Sequence, residues 1–574
     1  MNRFALLATI VAAFSVPVLS MCQPPRTKQS ADPWWKHAVF YEIYPRSFQD
    51  TNGDGVGDLN GITARLEYLQ HLGVDAIWIA PCFPSPLVDF GYDVSDYDAI
   101  DPQFGTMQDF DRLVAEATKR HIRILLDMVA NHSSDKHPWF LASRSSKSDP
   151  KRDWYIWRDG KLDQDGKMGP PNNWHSVFGG SAWTLDPTTG QYYYHRFYAQ
   201  QPDLNWRNPA VEKAMLDQMR FWLDRGVAGF RLDSIDTLLE DPGLGDEEFR
   251  RDPKGEIQRD RTGAPMTTGV KTSNLPEIHD IIRRMRSMFD SYPGDRVLVG
   301  ETYLPNVMEL DKWYGGAAHD ELQLPMDTQV GVRNTLNAAQ WRTRLNDAET
   351  QLHGSMPLLV YDNHDNNRLD RYCRESNGAA PGADCPQIQR MLEGILFTSR
   401  AAALIYYGDE IGMTTAPLST EPDRRRDAER TPMQWTPEQD AGFSTAQTTW
   451  LPVQANYKNV NVKVEETDPV SLLAWNKSLI GLRRDNAILR DGDQKNFDAK
   501  NEQIVAYTRS AKAGTLVVLT NFSGTSQQAN IAALSGKSVQ LLMANFTPEA
   551  PTVRDLKSTL ALPPYGIFIG TVQK

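Results

Sequence analysis

One pattern, met eight times along the chain, constrains the fold more than any other feature: a short apolar run, a polar terminus, then an amphipathic stretch. The runs are AVFYEIYPRSF from Ala38, VDAIWIAP from Val74, IRILLDMVANH from Ile122 and VAGFRLD ending at Asp233. RVLVGET passes through Glu301, DELQLPMD starts at Asp320, PLLVYDNHD ends at Asp365 and ALIYYGDE ends at Glu410. Between them lie segments such as AVEKAMLDQMRFWLDRG at 210–226 and IHDIIRRMRSMF at 278–289. Runs this apolar suit strands buried on both faces. Strands alternating with helices over roughly 450 residues call for parallel βα units, and eight of them close into a (β/α)8 TIM barrel. All strand C-terminal ends then open at one mouth. The unbroken polar stretch from Asp362 to Arg368 becomes the lining of a site rather than a solvated loop.

Two segments depart from the alternation. Residues 133–194 are rich in Trp, Gly, Pro and Asp with short β signals such as GQYYYHRFY, which reads as a domain inserted after the third strand. Beyond about residue 490, QIVAYTRS, TLVVLTNFS, SVQLLM and YGIFIGTV are short strands separated by turns, predicting a small antiparallel β domain. The expected organisation is a leader at 1–22, a tether at 23–33, a barrel at 34–132 and 195–490, the insertion at 133–194 and the β domain at 491–574.

The leader carries Arg3 before an almost wholly apolar stretch from Phe4 to Leu19, too short for a membrane span. Ser20 offers a small-residue cleavage point, and lipidation at Cys22 is the alternative, although Met21 before it fits a lipoprotein signal poorly. Both imply export to a periplasmic or extracellular space. There Cys373 and Cys385, which bracket a Gly/Pro/Ala-rich loop, have the oxidising surroundings for a local bridge. Cys82, behind AIWIAP, reads as a buried free thiol. A formal net charge of −12 argues against nucleic acid or an anionic membrane as the partner. Fifteen Trp and twenty Tyr supply flat apolar faces with polar handles, a composition that suits sugar rings as well as cores.

Asp233, Glu301 and Asp365 end three different strands, and Arg231 stands two residues before Asp233 on the same strand face. Cleavage of a glycoside with retention needs an ionised carboxylate as nucleophile and a protonated carboxyl as acid, about 5 Å apart. Arg231 favours the charged form of Asp233, and a less compensated site keeps Glu301 protonated.

DMVANH, GFRLD, VGET and NHD, in that order, resemble the four conserved regions of the α-amylase family, glycoside hydrolase family thirteen. The resemblance spans nearly the whole mature chain, and QPDLNW at 201–206 is similar to the branch of oligo-1,6-glucosidases and exo-acting α-glucosidases. It implies Asp233 as nucleophile, Glu301 as acid/base and Asp365 as a clamp on sugar hydroxyls, with His132 and His364 bonding the same sugar. It further implies that Tyr92 stacks on the terminal glucose and that Asp89 and Arg368 close the pocket behind it. Endo-acting members carry a Lys-His pair soon after the nucleophile; DSIDTL has neither. In this branch a Val after the nucleophile accompanies α-1,6 specificity and smaller residues α-1,4, so Ser234 leans to α-1,4. RDAERTPMQW at 426–435 is also similar to this branch; its charges contact the leaving group or form loop ion pairs.

DTNGDGVGD sets Asp50, Asn52, Asp54 and Asp58 around glycines, hard oxygen donors that suit Ca²⁺. The resemblance implies a structural calcium completed by the carbonyl of Val56, and a metal-free Asx-rich turn is the alternative. No organic cofactor is expected. The expected activity is an exo-acting α-glucosidase on maltose, maltooligosaccharides and related small α-glucosides, with transglucosylation. Alternatives are an oligo-1,6-glucosidase, an isomerase or transglucosidase of sucrose or trehalose, and a non-catalytic relative, which the intact carboxylates disfavour.

Overall fold

A computed structural model describes residues 32–573 except 163–164, 378–381, 383, 418, 535–536, 548–551 and 554–558. The expected leader, Cys22 and nearly all of the expected tether lie outside the described residues. Among the described residues no helix is long and apolar enough to cross a membrane.

All eight apolar runs contain strands. β1 (Val39–Ile43), β2 (Ala76–Ile79), β3 (Arg123–Val129), β4 (Gly229–Asp233), β5 (Val297–Gly300), β6 (Leu324–Asp327), β7 (Leu358–Leu359) and β8 (Ala402–Tyr406) pair in parallel and close in sequence order. Side chains alternate across each strand, so every second residue faces the barrel axis. Phe40, Leu125, Val297, Leu358 and Leu404 belong to one buried cluster that fills the lower barrel. Two residues further along β3 and β4 come Asp127 and Arg231, which are directly paired in register. Two more along β4 is Asp233, at the mouth. A polar layer thus sits on an apolar one because of the period-2 pattern in the sequence. Gly229 is needed where it stands, since a Cβ there would lie 2.0 Å from the Val297 carbonyl oxygen of the adjacent strand.

The helices wrap this barrel. Pro209–Asp224 begins at Asn208, whose side chain accepts from the Ala210 N–H, with Pro209 at the first helical position. Its Val211, Met215, Met219 and Trp222 are fully buried, each such side chain contributing about 1.5–3 kcal/mol of burial free energy. Ile278–Asp290 does the same with Ile278, Ile282, Met285 and Phe289.

The inserted segment holds the helix Pro138–Ser145 and a three-stranded antiparallel sheet, with a small core of its own that includes Trp174, Trp183 and Tyr194. QPDLNW carries the chain back, and Asp203 forms an isolated bridge with His132. The C-terminal domain is antiparallel as expected, centred on Ile504–Ala511, Gly514–Asn521 and Ile567–Val572. Cys373 and Cys385 are bridged, and Cys82 is a buried free cysteine.

Candidate active site

A cavity of about 400 Å³ opens at the C-terminal ends of the strands, a volume ordinary for a small-ligand site. Asp89, Tyr92, His132, Asp233, Glu301 and Asp365 all line it. Arg231 and His364 are completely buried beside these residues.

Arg231 organises the floor. Its Nη1 donates to Asp233 Oδ1 at 2.7 Å and to Asp127 Oδ1 at 2.9 Å, while Nη2 lies 2.7 Å from Glu301 Oε1. Asp127 is held in turn by Trp78 Nε1 at 3.1 Å and the Tyr92 hydroxyl at 3.0 Å. One guanidinium therefore spans nucleophile and acid candidates, which corrects the asymmetry expected from the sequence. Burial pushes Asp233 and Glu301 both up to about 7, with Arg231 opposing and the neighbouring carboxylates adding to the rise. Two buried carboxyls on one guanidinium disfavour double ionisation, an arrangement suited to sharing one proton. Ser234, in the left-handed region with φ 42°, turns its N–H onto Glu301 Oε2 at 2.9 Å. A turn at that φ lets the chain leave β4 sharply and still brace the facing acid.

Asp365 is built for the opposite state. Burial would raise it, but His364, Arg426 and Arg430 hold it well below the carboxylate range. Arg430 Nη2 is 2.6 Å from Oδ1, Arg426 Nη1 2.9 Å, and His364 Nε2 3.2 Å from Oδ2. His364 loses by burial, yet Asp365 and Glu42 raise it to about 10, with Nδ1 2.6 Å from Glu42 Oε1. Tyr92 stacks on the His364 ring at 5.4 Å and 12° and lines the cavity. His132, lowered to about 4 by burial, faces Asn131 through Nδ1 at 2.9 Å and Gln201 through Nε2 at 3.0 Å.

Arg368 is a correction. It does not reach the cavity. The turn that follows Asp362, closed by the Asn363 side chain on the Asp365 N–H and Asn366 Nδ2, carries the chain to the segment that follows β8. Arg368 is wholly buried there, donating to the Tyr407 carbonyl at 2.7 Å and lying 3.3 Å from Asp409. The back of the pocket is closed by Arg426, whose Nη2 meets Asp89 Oδ1 at 2.5 Å while Nη1 holds Asp365. RDAERTPMQW thus turns its first charge inward. Phe178 from the insertion, Arg196 and Phe197 from the segment just after it, and Tyr303 and Asn366 complete the wall. Asn366 belongs to the polar stretch expected at the mouth; for Phe178, Arg196, Phe197 and Tyr303 the sequence offers only the aromatic richness of 133–194 and its flank as a signal.

The loop at 50–58, where calcium is expected, closes on itself. Asp50 accepts from the N–H groups of Asn52, Gly53 and Gly55 and from Ser444 Oγ. Asp58 accepts from the Thr51 and Gly61 N–H groups. Asn52 Nδ2 donates to Asp54 Oδ2 at 3.0 Å, so Asp50, Asn52, Asp54 and Asp58 share one tight turn, a set of hard oxygen donors whose chemistry fits calcium.

Residues 42–492 match the family described as alpha amylase, catalytic domain, and 496–569 match the maltogenic amylase C-terminal domain. The chain belongs to the α-amylase family. It is a glycoside hydrolase of that family, with a TIM barrel and a C-terminal β domain. Among its relatives, an oligo-1,6-glucosidase of Parageobacillus thermoglucosidasius is 37% identical over 91% of this chain and 97% of its own. Maltase 1 of Drosophila virilis is 37% identical over 87% and 80%. The crystal structure of a trehalulose synthase from Pseudomonas mesoacidophila MX-45 superposes with a TM-score of 0.83 at 34% identity, covering 95% of this chain and all of that one. This α-amylase-family barrel therefore shares its scaffold with hydrolases and with a synthase.

Proposed function

We propose that the enzyme is an exo-acting, retaining α-glucosidase that releases terminal α-1,4-linked glucose from maltose and short maltooligosaccharides, with transglucosylation as a side reaction. The observation that carries this is Arg231 touching Asp233 and Glu301 at 2.7 Å each, in a pocket shut behind by the Asp89–Arg426–Asp365 chain. Carboxylates on one guanidinium suit the short spacing, about 5 Å, of double displacement. Glu301 gives its proton to the glycosidic oxygen as Asp233 attacks the anomeric carbon, the leaving group departs, and a glucosyl ester forms on Asp233. Glu301 then takes a proton from water, which cleaves the ester. Asp365 stays ionised throughout and accepts sugar hydroxyls whose bonds tighten as positive charge develops on the ring. Substrates are small α-glucosides; the blocked rear of the pocket supports attack at a chain end.

Proton NMR of the mature enzyme with maltose, isomaltose, sucrose and trehalose in separate tubes tests this reading. α-Glucose released first from maltose, with little isomaltose cleavage, supports it. A new glycosidic signal as the main product favours the second reading, a transferase or isomerase, to which the likeness to a trehalulose synthase lends weight. Oligo-1,6-glucosidase is the outcome if isomaltose is preferred.

We further propose export to an oxidising compartment, supported by the leader-like sequence and the Cys373–Cys385 bridge. For the loop at 50–58 we propose calcium as an added ligand rather than the agent that folds it, because its carboxylates already close the turn on backbone N–H groups. Melting with and without EGTA tests this; a loss of more than roughly 5 °C counts against it.

A further inference from the structure

Between the short helical turn after β4 and the helix Ile278–Asp290 the chain makes a long excursion, residues 238–277, with no helix or strand beyond isolated bridges. Loops of this length inside a compact domain are uncommon and usually functional. None of its residues lines the cavity, yet it is tied to the cavity wall at both ends. At its root the Asn274 N–H donates to the Asp236 carbonyl at 2.7 Å, and Arg196 Nη1 donates to Thr272 Oγ1 at 2.5 Å. Asp236 and Arg196 both border the cavity.

At its tip stands Asp260, whose two oxygens face opposite ways. Oδ1 closes a local turn, accepting from the Thr262 N–H at 2.8 Å, the Thr262 hydroxyl at 2.7 Å and the Ala264 N–H at 2.9 Å. Oδ2 reaches into the inserted segment, 2.7 Å from the Gly180 N–H and 2.8 Å from His175 Nε2. Only 6% of the Asp260 side chain and 8% of His175 is exposed. His175 and Ser181 bridge the base of the turn that carries Val177 and Phe178, two residues of the cavity wall. The Phe178 ring in turn lies 5.3 Å from the guanidinium carbon of Arg426, the residue that grips Asp89 and Asp365. Few groups other than a carboxylate accept from both sides at once in this way.

We propose that Asp260 is a positioning residue: it latches the excursion after β4 to the inserted-segment turn and so fixes Phe178 over Arg426 as one wall of the sugar pocket. The latch rests on the α-glucosidase reading, because substrate affinity is its readout. Asp365 keeps Arg430 and His364 whatever happens to Phe178. Loosening the turn therefore acts on the substrate's fit more than on the chemical step.

Asp260→Asn separates latch from turn, since its remaining oxygen serves Thr262 and Ala264 while its amide sets a donor against the Gly180 N–H. His175→Ala removes the imidazole half of the latch from the other side, leaving the Gly180 N–H, without touching that turn. Asp252→Ala is the control, because the Asp252 side chain accepts from N–H groups of its own loop, at Lys254 and Glu256. Both latch variants are expected to raise KM about fivefold with kcat within about threefold of the parent and unchanged melting. The control is expected to match the parent. KM within about twofold of the parent in both variants overturns the proposal. So does a fall in kcat that tracks a lost melting transition, which would make Asp260 a fold-holding residue. Turnover of maltose by the parent tests the α-glucosidase reading separately, and the latch comparison is made on whichever α-glucoside the parent cleaves.

Discussion

Replacing Arg426 by Gln separates the pocket as folded from the pocket expected of the sequence. Arg426 makes one charge-assisted contact to Asp89 at 2.5 Å and one to Asp365 at 2.9 Å. Each such bond contributes about 1.5–3 kcal/mol when its partner is buried. Part survives the change: Asp365 keeps Arg430 and His364, Asp89 keeps Gln201 Nε2 at 3.2 Å, and the new amide offers one donor. The net loss then falls at about 2–4 kcal/mol of transition-state stabilisation, or roughly 30- to 1,000-fold in kcat/KM. The parallel variant is Arg368→Gln. It leaves every cavity contact in place but strips the Tyr407 carbonyl and Asp409 of a buried partner. Breaking a buried ion pair costs about 3–5 kcal/mol of stability. Arg368→Gln should melt lower, with kcat/KM of the folded fraction within about threefold of the parent. Initial rates on maltose with a melting curve for each variant decide it. A larger kinetic loss in Arg368→Gln than in Arg426→Gln would refute the placement of both residues.

Two further outcomes follow from the same geometry. Asp233 must lose its proton and Glu301 keep one for the first step, and both are raised to about 7 by burial, with Asp127 and Asp365 adding for Asp233 and Asp233 and Asp365 adding for Glu301. kcat/KM should therefore be bell-shaped, falling below neutrality as Asp233 protonates and above it as Glu301 ionises; Glu301→Gln, followed on an activated aryl α-glucoside, should lose the alkaline limb. A flat profile in the parent would remove this assignment. Ser234 meets Glu301 through its backbone N–H, so Ser234→Val keeps that brace while filling space beside the nucleophile. The ratio of isomaltose to maltose cleavage should rise about tenfold, within the 1–3 kcal/mol that one side chain of this size discriminates; an unchanged ratio denies Ser234 a role in linkage choice.

What could be read from the sequence, and what could not, divides along physical lines. The barrel was legible because each strand is a dense apolar run, and burial on both faces leaves that mark locally. Asp233, Glu301 and Asp365 were legible because a strand end is also a local feature, and one mouth gathers all of them. Arg368 was misplaced because closeness in sequence to Asp365 says nothing once a tight turn at Asn363 intervenes. Its replacement, Arg426, sits 61 residues beyond Asp365, and a charge in a loop carries no periodic signal of which way it faces. Arg231 was read as the partner of Asp233 alone; that its second nitrogen also meets Glu301 depends on the adjacency of β4 and β5. The excursion at 238–277 leaves no mark in the sequence for a related reason. It has no apolar periodicity, and its order comes from side chains such as Asp260 and Glu247 accepting backbone N–H groups.

The claim on which the mechanism depends is a glucosyl ester on Asp233. The direct measurement is to treat the enzyme with a 5-fluoro-α-glucosyl fluoride, which slows hydrolysis of the intermediate. Intact mass and then a peptic digest locate the label. The account predicts a single fluoroglucosyl group on the peptide containing Asp233, and no label in Asp233→Ala. Label on a peptide carrying Glu301 or Asp365 instead, or turnover of the reagent with no covalent species at any time, would contradict it.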